Sequence, residues 1–341
     1  MNQELSICWM TSRKDAMWPE FCDSLHRECG GMYDGLRVMA IDYWANPHVT
    51  AASDNERAAL LTQMHEDRRS YILNGLRCPA DIFQWAAPKP SPWQGPFRQT
   101  NEDWFAAANA RNTALALCKT DWIAYVDDLS CLQPGWFAEA VNSMRLERTI
   151  TCGAYRKVRE MVVVNGELVG WKPNLVDDGK GGQIDAGIDN RAKHAKDGVA
   201  TPCTGNWMFG CSLIAPVEAF LEVNGWDERC DGMGSEDYCT GLSLAKKGWK
   251  FRYAPRMMTY ESEERHHIES SFKRSDYGVS PNDKSHEMLK IAQTGNGWNP
   301  NDFGGQDLRK LRMRVCEGQA FPIPARNQRE WYMKELLSSL K

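Results

Sequence analysis

The chain has no hydrophobic run long enough to cross a bilayer and no basic leader followed by an apolar stretch at its start, MNQELSICWMTSRK. Membrane insertion and a secretory route are therefore not expected, and a cytoplasmic setting is. It has no Cys-x-x-Cys pair, and its 12 cysteines follow no regular spacing. A disulfide framework and a thiolate zinc site are thus unsupported, and reduced, mostly buried thiols are expected. No excess of one charge is present either: the net charge is −4, which gives no whole-chain case for binding nucleic acid. No internal repeat is found. What remains is the composition of an ordinary globular chain of 341 residues, 42% hydrophobic and 25% charged, with 14 tryptophans that suit a core or the stacking of sugar and base rings.

Strand and helix patterns alternate through the first 150 residues. Leu5–Met10, Leu36–Ile41, Asp81–Trp85 and Trp122–Val126 read as strands; 16–29, 54–77, 101–118 and 134–148 read as helices. This alternation predicts a doubly wound, mainly parallel sheet. Beyond Ile150 the pattern changes. Val162–Val169 predicts a hairpin turning on Asn165-Gly166, and the polar, glycine-rich stretch 173–200 predicts a mobile loop or lid. From Phe272 to Lys341 there are 12 Lys and Arg against 8 Asp and Glu, so this segment is basic. Within it Arg309, Lys310, Arg312 and Arg314 alternate with Leu308, Leu311 and Met313, as an element with an apolar face to bury or as a phosphate-binding patch.

Two acidic pairs carry the chemistry. Asp127-Asp128 closes the apolar strand Trp122–Val126, where two carboxylates need a cation or hydrogen bonds to offset them. Open α/β sheets bind ligands at that edge, and hard oxygen ligands beside a diphosphate suit Mg²⁺ or Mn²⁺. The second pair, Glu236-Asp237, follows the Gly232-Met233-Gly234 turn and opens an amphipathic helix ending in Lys246-Lys247-Gly248. Acid first and lysine last suits the helix dipole, and it equally presents a carboxylate as general base at a cleft.

In order, Ala110-Arg111-Asn112-Thr113, the strand ending in Asp127-Asp128, Pro134-Gly135-Trp136, Gly205-Asn206, Gly225-Trp226-Asp227-Glu228 and Gly234-Ser235-Glu236-Asp237 resemble the inverting GT-A glycosyltransferases of the family 2 type. The second half looks most like the galactosyltransferase and chondroitin-polymerase kind. The resemblance implies a GT-A, Rossmann-like α/β fold over residues 1–271, with a nucleotide-binding half (1–130), an acceptor half (131–271) and a C-terminal extension (272–341) packed on the core. It also implies a sugar moved from a nucleotide sugar, expected to be a UDP-sugar, to an acceptor hydroxyl, assisted by Mn²⁺ or Mg²⁺. Asp237 would be the general base, with Glu236 holding the acceptor or positioning the base. Thr11, Arg13, Asp42, Arg111, Asp127 and Asn206 would contact the donor, and Trp207 and Trp226 the acceptor. Asp128 and Asp127 would ligate the metal.

The sequence departs from the resemblance at two places. Leu129 and Ser130 stand where relatives continue an Asp-x-Asp spacing. Glu261 stands where relatives place a histidine ligand, with His266 and His267 as alternatives nearby. The acceptor is a saccharide or, as in phage-type enzymes, a hydroxymethylated DNA base. A nucleotidyltransferase and an inactive sugar-binding homologue are the competing functions.

Overall fold

The computed structural model describes residues 4–45, 53–89, 91, 106–195, 198–228, 230, 236–267 and 307–321. Its centre is one large mixed sheet. The first four of its strands to be named, β1 (Leu5–Thr11), β2 (Leu36–Asp42), β3 (Phe83–Ala86) and β4 (Trp122–Asp127), are mutually parallel in the order β3-β2-β1-β4. Helices α1 (Trp18–Cys29), α2 (Asp54–Gly75) and α3 (Ala107–Leu117) are the crossovers. Each starts or stops on local chemistry. Pro19 sits in the first turn of α1, with Gly30 left-handed at its end; the Ser53 hydroxyl caps α2; the Asn109 side chain accepts from the Ala106 amide before α3.

Further along come β5 (Ser130–Leu132), α4 (Trp136–Ser143), the 16-residue β6 (Thr149–Val164), β7 (Glu167–Pro173), and the small β8 (Leu175–Asp177)/β9 (Gln183–Asp185) pair. They are followed by β10 (Thr201–Cys203), β11 (Ser212–Pro216), α5 (Val217–Glu222), α6 (Glu236–Lys246), β12 (Lys250–Ser262) and α7 (Leu308–Cys316). The sheet continues from β4 as β11-β6-β12-β10, with β11 antiparallel to both neighbours and β12 parallel to β6. Both faces are covered, so side chains alternate between two cores. Leu5, Ile7 and Trp9 of β1 join Trp122, Ala124 and Val126 of β4 under α1 and α4. Cys8, Met10, Ile123 and Tyr125 point the other way, into the α3, α5 and α7 side.

The predicted hairpin turns where expected, with Asn165 and Gly166 both at positive φ. The stretch 173–200 differs from the expectation of a loop throughout. It holds β8, β9 and a short 3-10 turn at 190–194, and Arg191 within it is buried, paired with Asp189 at 2.8 Å and resting on Phe209 and Tyr253. An ion pair inside an aromatic cage anchors the centre of that segment. The basic helix α7 is anchored too: Leu308 and Leu311 enter the core beside α3, while Met313, expected on the same face, is exposed. The helical period explains this, since 308 and 311 share a face that 313 leaves. Of the rest of 272–341, only residues 307 and 317–321 fall within the described residues. All 12 cysteines are unbridged, and among the described residues no helix is long and apolar enough to cross a membrane.

Candidate active site

The chain leaves β1 toward β2 on one side, while β4 lies on the other. The strand order therefore reverses at the carboxyl ends of β1 and β4, the usual ligand position in such sheets. Thr11 and Arg13 line one side of it and Asp127-Asp128 the other.

Asp128 is fully engaged there. Arg13 Nη1 donates to both its oxygens at 2.7 and 2.8 Å, and the Thr11 hydroxyl donates to Oδ2 at 2.6 Å. Asp128, expected to ligate a metal, is held in an ion pair that joins the ends of β1 and β4. The Thr11 hydroxyl and one nitrogen of Arg13, Nη1, are given to Asp128. Asp42 is likewise sealed, wholly buried and bonded to Arg68 Nε at 2.6 Å, the Trp44 amide at 3.0 Å and Trp85 Nε1 at 3.1 Å. Burial raises its pKa and Arg68 opposes the rise. The expected donor contact through this carboxylate is replaced by a structural one.

Asp127 is different. Its side chain retains 36% of its surface, and among the described residues its one ion pair is a long 3.8 Å contact to Arg111. Burial, then repulsion from Glu261, push its pKa up to about 6; Arg111 works against this. Glu261 is reached through the pairing of β5 with β12, where it lies opposite Ser130. Its carboxylate is 2% exposed, Oε1 has no hydrogen-bond partner, and Oε2 is 3.6 Å from His266 Nε2. The fold thus brings Asp127, Glu261 and His266 to one place from distant parts of the chain. Among the described residues no group of three or more His, Cys, Asp or Glu forms a ready-made metal site. Two close carboxylates, one with an unpartnered buried oxygen, and an imidazole are still a donor set suited to a hard divalent cation. The side chain of His267 lies outside what is described.

The second pair opens α6. Glu236 is buried and bonded through Oε1 to Arg111 Nη1 at 2.7 Å, while its Oε2 is unpartnered. Asp237, beside it, is half-buried and accepts from the Tyr238 amide at 2.7 Å. Burial first and the Glu236 charge second raise its pKa to about 7, against the pull of Arg111 and the backbone of Tyr238 and Gly210. A carboxylate held near neutrality can take a proton from a hydroxyl at physiological pH. The Gly232–Gly234 turn lies outside the described residues.

Arg111, expected to face the nucleotide, is instead buried with 4% of its side chain exposed. Trp226 is fully buried, with Arg111 4.4 Å above its ring and Phe220 stacked against it at 5.3 Å. The expectation of acceptor stacking on Trp226 is therefore corrected, since no face of its ring is open. Trp207 fits that expectation better. It is half-buried, 5.1 Å from the His194 ring and edge-on to Tyr253, in the turn 205–207 that packs on α6. A Cβ on Gly205 would come 2.2 Å from the Gly241 carbonyl, so this approach requires glycine. Asn206 is half-buried, its side-chain oxygen bonded to the Thr204 hydroxyl. Sequence reasoning did not single out Gly210, Arg68 or Lys89, of which Lys89 is buried with its Nζ 2.5 Å from Glu228. A lysine in a proline-rich stretch gave only a weak signal.

Residues 91–196 match the family model "Glycosyl transferase family 2". Among solved structures, GalNAc-T7, solved with UDP, GalNAc and Mn²⁺, superposes with a TM-score of 0.50 at 13% identity over 99% of this chain and 57% of that one. That likeness is one of fold, the GT-A arrangement of a large mixed sheet flanked by helices. S. aureus TarS aligns at a TM-score of 0.48 and 12% identity, over 95% of this chain and 45% of TarS. The GT-A chain described here thus spans about half the length of these two proteins. No curated protein matches its sequence.

Proposed function

We propose that the protein is an inverting glycosyltransferase that moves a sugar from a UDP-sugar to a saccharide hydroxyl, with Asp237 as the general base. The observation that carries this reading is the Asp237 carboxylate, raised to about 7 beside Glu236 at the start of α6. The acceptor hydroxyl is a poor nucleophile until a group within hydrogen-bond reach takes its proton. Asp237 accepts that proton, and Glu236, its Oε2 unpartnered, accepts a hydrogen bond from the acceptor. Trp207 offers the acceptor ring an apolar surface, with Asn206 beside it. Attack from the side opposite the departing diphosphate inverts the anomeric carbon.

Asp127, Glu261 and His266 would hold a divalent cation, Mn²⁺ or Mg²⁺. When bound, such an ion offsets the negative charge that develops on the leaving diphosphate. The GalNAc-T7 structure contains UDP and Mn²⁺, which supports the choice of donor and ion. Asp127, the more open member of its pair, would also meet the donor sugar.

A saccharide is favoured over a DNA base because two of the four cations of the basic helix are held by the protein itself. Arg309 pairs with Glu218, and Arg312 donates to the Cys118 and Thr120 carbonyls. Turnover of UDP-, GDP- and dTDP-sugars with and without Mn²⁺, together with the anomeric configuration of the product, tests the proposal. Metal-stimulated release of UDP with an inverted product supports it. A retained configuration, or release of diphosphate with nucleotide transfer, contradicts it.

A further inference from the structure

We infer that Arg111 is a positioning residue that fixes the base-bearing start of α6 against the strand-end Asp127, and is not a ligand of the donor. The inference rests on the glycosyl-transfer reading of this site and adds a role that the reading does not require.

The guanidinium is closely packed, with 4% of the side chain exposed. Trp226 lies 4.4 Å from it, and a Cβ at Gly210 would come 1.9 Å from Nη2. Its polar edge is divided between the two acidic pairs, with Nη1 at 2.7 Å from Glu236 and Nη2 at 3.8 Å from Asp127. A buried cation between carboxylates from two separate elements has no open face left for a diphosphate. It does hold those elements at a fixed separation, because a planar fork tolerates little rotation.

The next two residues of α3 repeat the pattern. Asn112 accepts from the Trp226 amide at 2.8 Å and donates at 2.8 Å to both the Trp226 carbonyl and Glu228. The Thr113 hydroxyl accepts from the Lys89 amide at 2.8 Å, and Lys89 reaches on to Glu228. Three consecutive helix residues thus join the segment after β3, the Trp226–Glu228 segment and the first turn of α6. Arg111 is the member that touches the chemistry, through Glu236.

The test is a double-mutant cycle of Arg111→Gln and Glu236→Gln, read by kcat and KM for a UDP-sugar, by UDP affinity with Mn²⁺, and by the urea midpoint. A positioning role predicts that Arg111→Gln lowers kcat by about 10-fold or more with UDP affinity changed less than about 3-fold. It also predicts that the double variant is no worse than the poorer single one, in kcat and in urea midpoint alike. Gly210→Ala keeps the arginine but displaces it, and the same split between kcat and UDP affinity is expected; this variant decides the matter if Arg111→Gln does not fold. A loss of UDP affinity of about 10-fold or more, or multiplying effects in the double variant, would overturn the inference. If the parent neither binds UDP nor turns over a UDP-sugar, the glycosyl-transfer reading fails by itself. The urea cycle still decides whether Arg111 and Glu236 act as one unit.

Discussion

The two acidic pairs, Asp127-Asp128 and Glu236-Asp237, were built in different ways and solve the same problem. One ends a parallel strand and the other begins a helix. In each, one carboxylate is bonded at short range to an arginine, Asp128 to Arg13 and Glu236 to Arg111. In each, the other carboxylate is more open and has its pKa raised, Asp127 to about 6 and Asp237 to about 7. An ion pair offsets the burial of the first acid; burial makes ionisation of the second harder, reinforced by Glu261 at Asp127 and by Glu236 at Asp237. The pairs differ in what the tied member has left over. Asp128 has both oxygens in use, whereas Glu236 keeps Oε2 without a partner in a buried position. The strand-end pair therefore offers one carboxylate for chemistry, and the helix-start pair offers two.

The largest effect should come from the open member of the helix pair. Asp237→Asn is expected to lower kcat by ~10²-fold or more, with UDP affinity nearly unchanged; near-normal turnover would remove the distinction between Asp237 and its neighbour. Next come the two strand-end acids, which should separate cleanly. Asp127→Asn and Glu261→Gln should each weaken the response to Mn²⁺ by about 10-fold or more with the fold intact. Asp128→Ala should leave the half-buried Arg13 without its partner and destabilise by about 1–3 kcal/mol in urea unfolding. The comparison breaks if Asp128 changes metal response alone while Asp127 changes stability alone.

The raised pKa values also predict a pH effect on stability. Between about pH 4 and 7 the native state keeps protons on Asp127 and Asp237 that the unfolded chain has released. Their contribution to stability is therefore largest at the acid end and declines as pH rises through that window. Asp237→Asn should flatten the upper part of the decline in urea midpoints measured without metal. The smallest effect belongs to the basic helix. Arg309→Ala and Arg314→Ala, both at exposed positions, should change stability by less than about 1 kcal/mol and leave acceptor KM unaffected by salt. A salt-dependent KM would revive a nucleic-acid acceptor.

Local pattern made much of this legible. The strands β1, β2 and β4 and the start of α6 follow from periodicity and end chemistry, and both acidic pairs announce themselves as charge beside an apolar run. Which oxygen in each pair remains available does not follow from local pattern. The arginines that decide it come from far along the chain, Arg13 115 residues from Asp128 and Arg111 125 residues from Glu236. Arg68 is 26 residues from Asp42 and sits on a helix whose polar face looked solvated. For the same reason Trp226 and Trp207 could not be told apart, since only packing against Arg111 and Phe220 closes the first. The stretch 173–200 misled because its polar, glycine-rich composition hides one buried pair, Asp189–Arg191, that anchors it.

The division of labour within each pair can be read directly from a titration of the aspartate side-chain carboxyl carbons by NMR in the metal-free protein. The account predicts one resonance with a midpoint near pH 7 that disappears in Asp237→Asn, and one near pH 6 that disappears in Asp127→Asn. If both carboxyls instead titrate in the ordinary aspartate range, about pH 4, neither pair holds an acid poised for proton transfer, and the central claim fails.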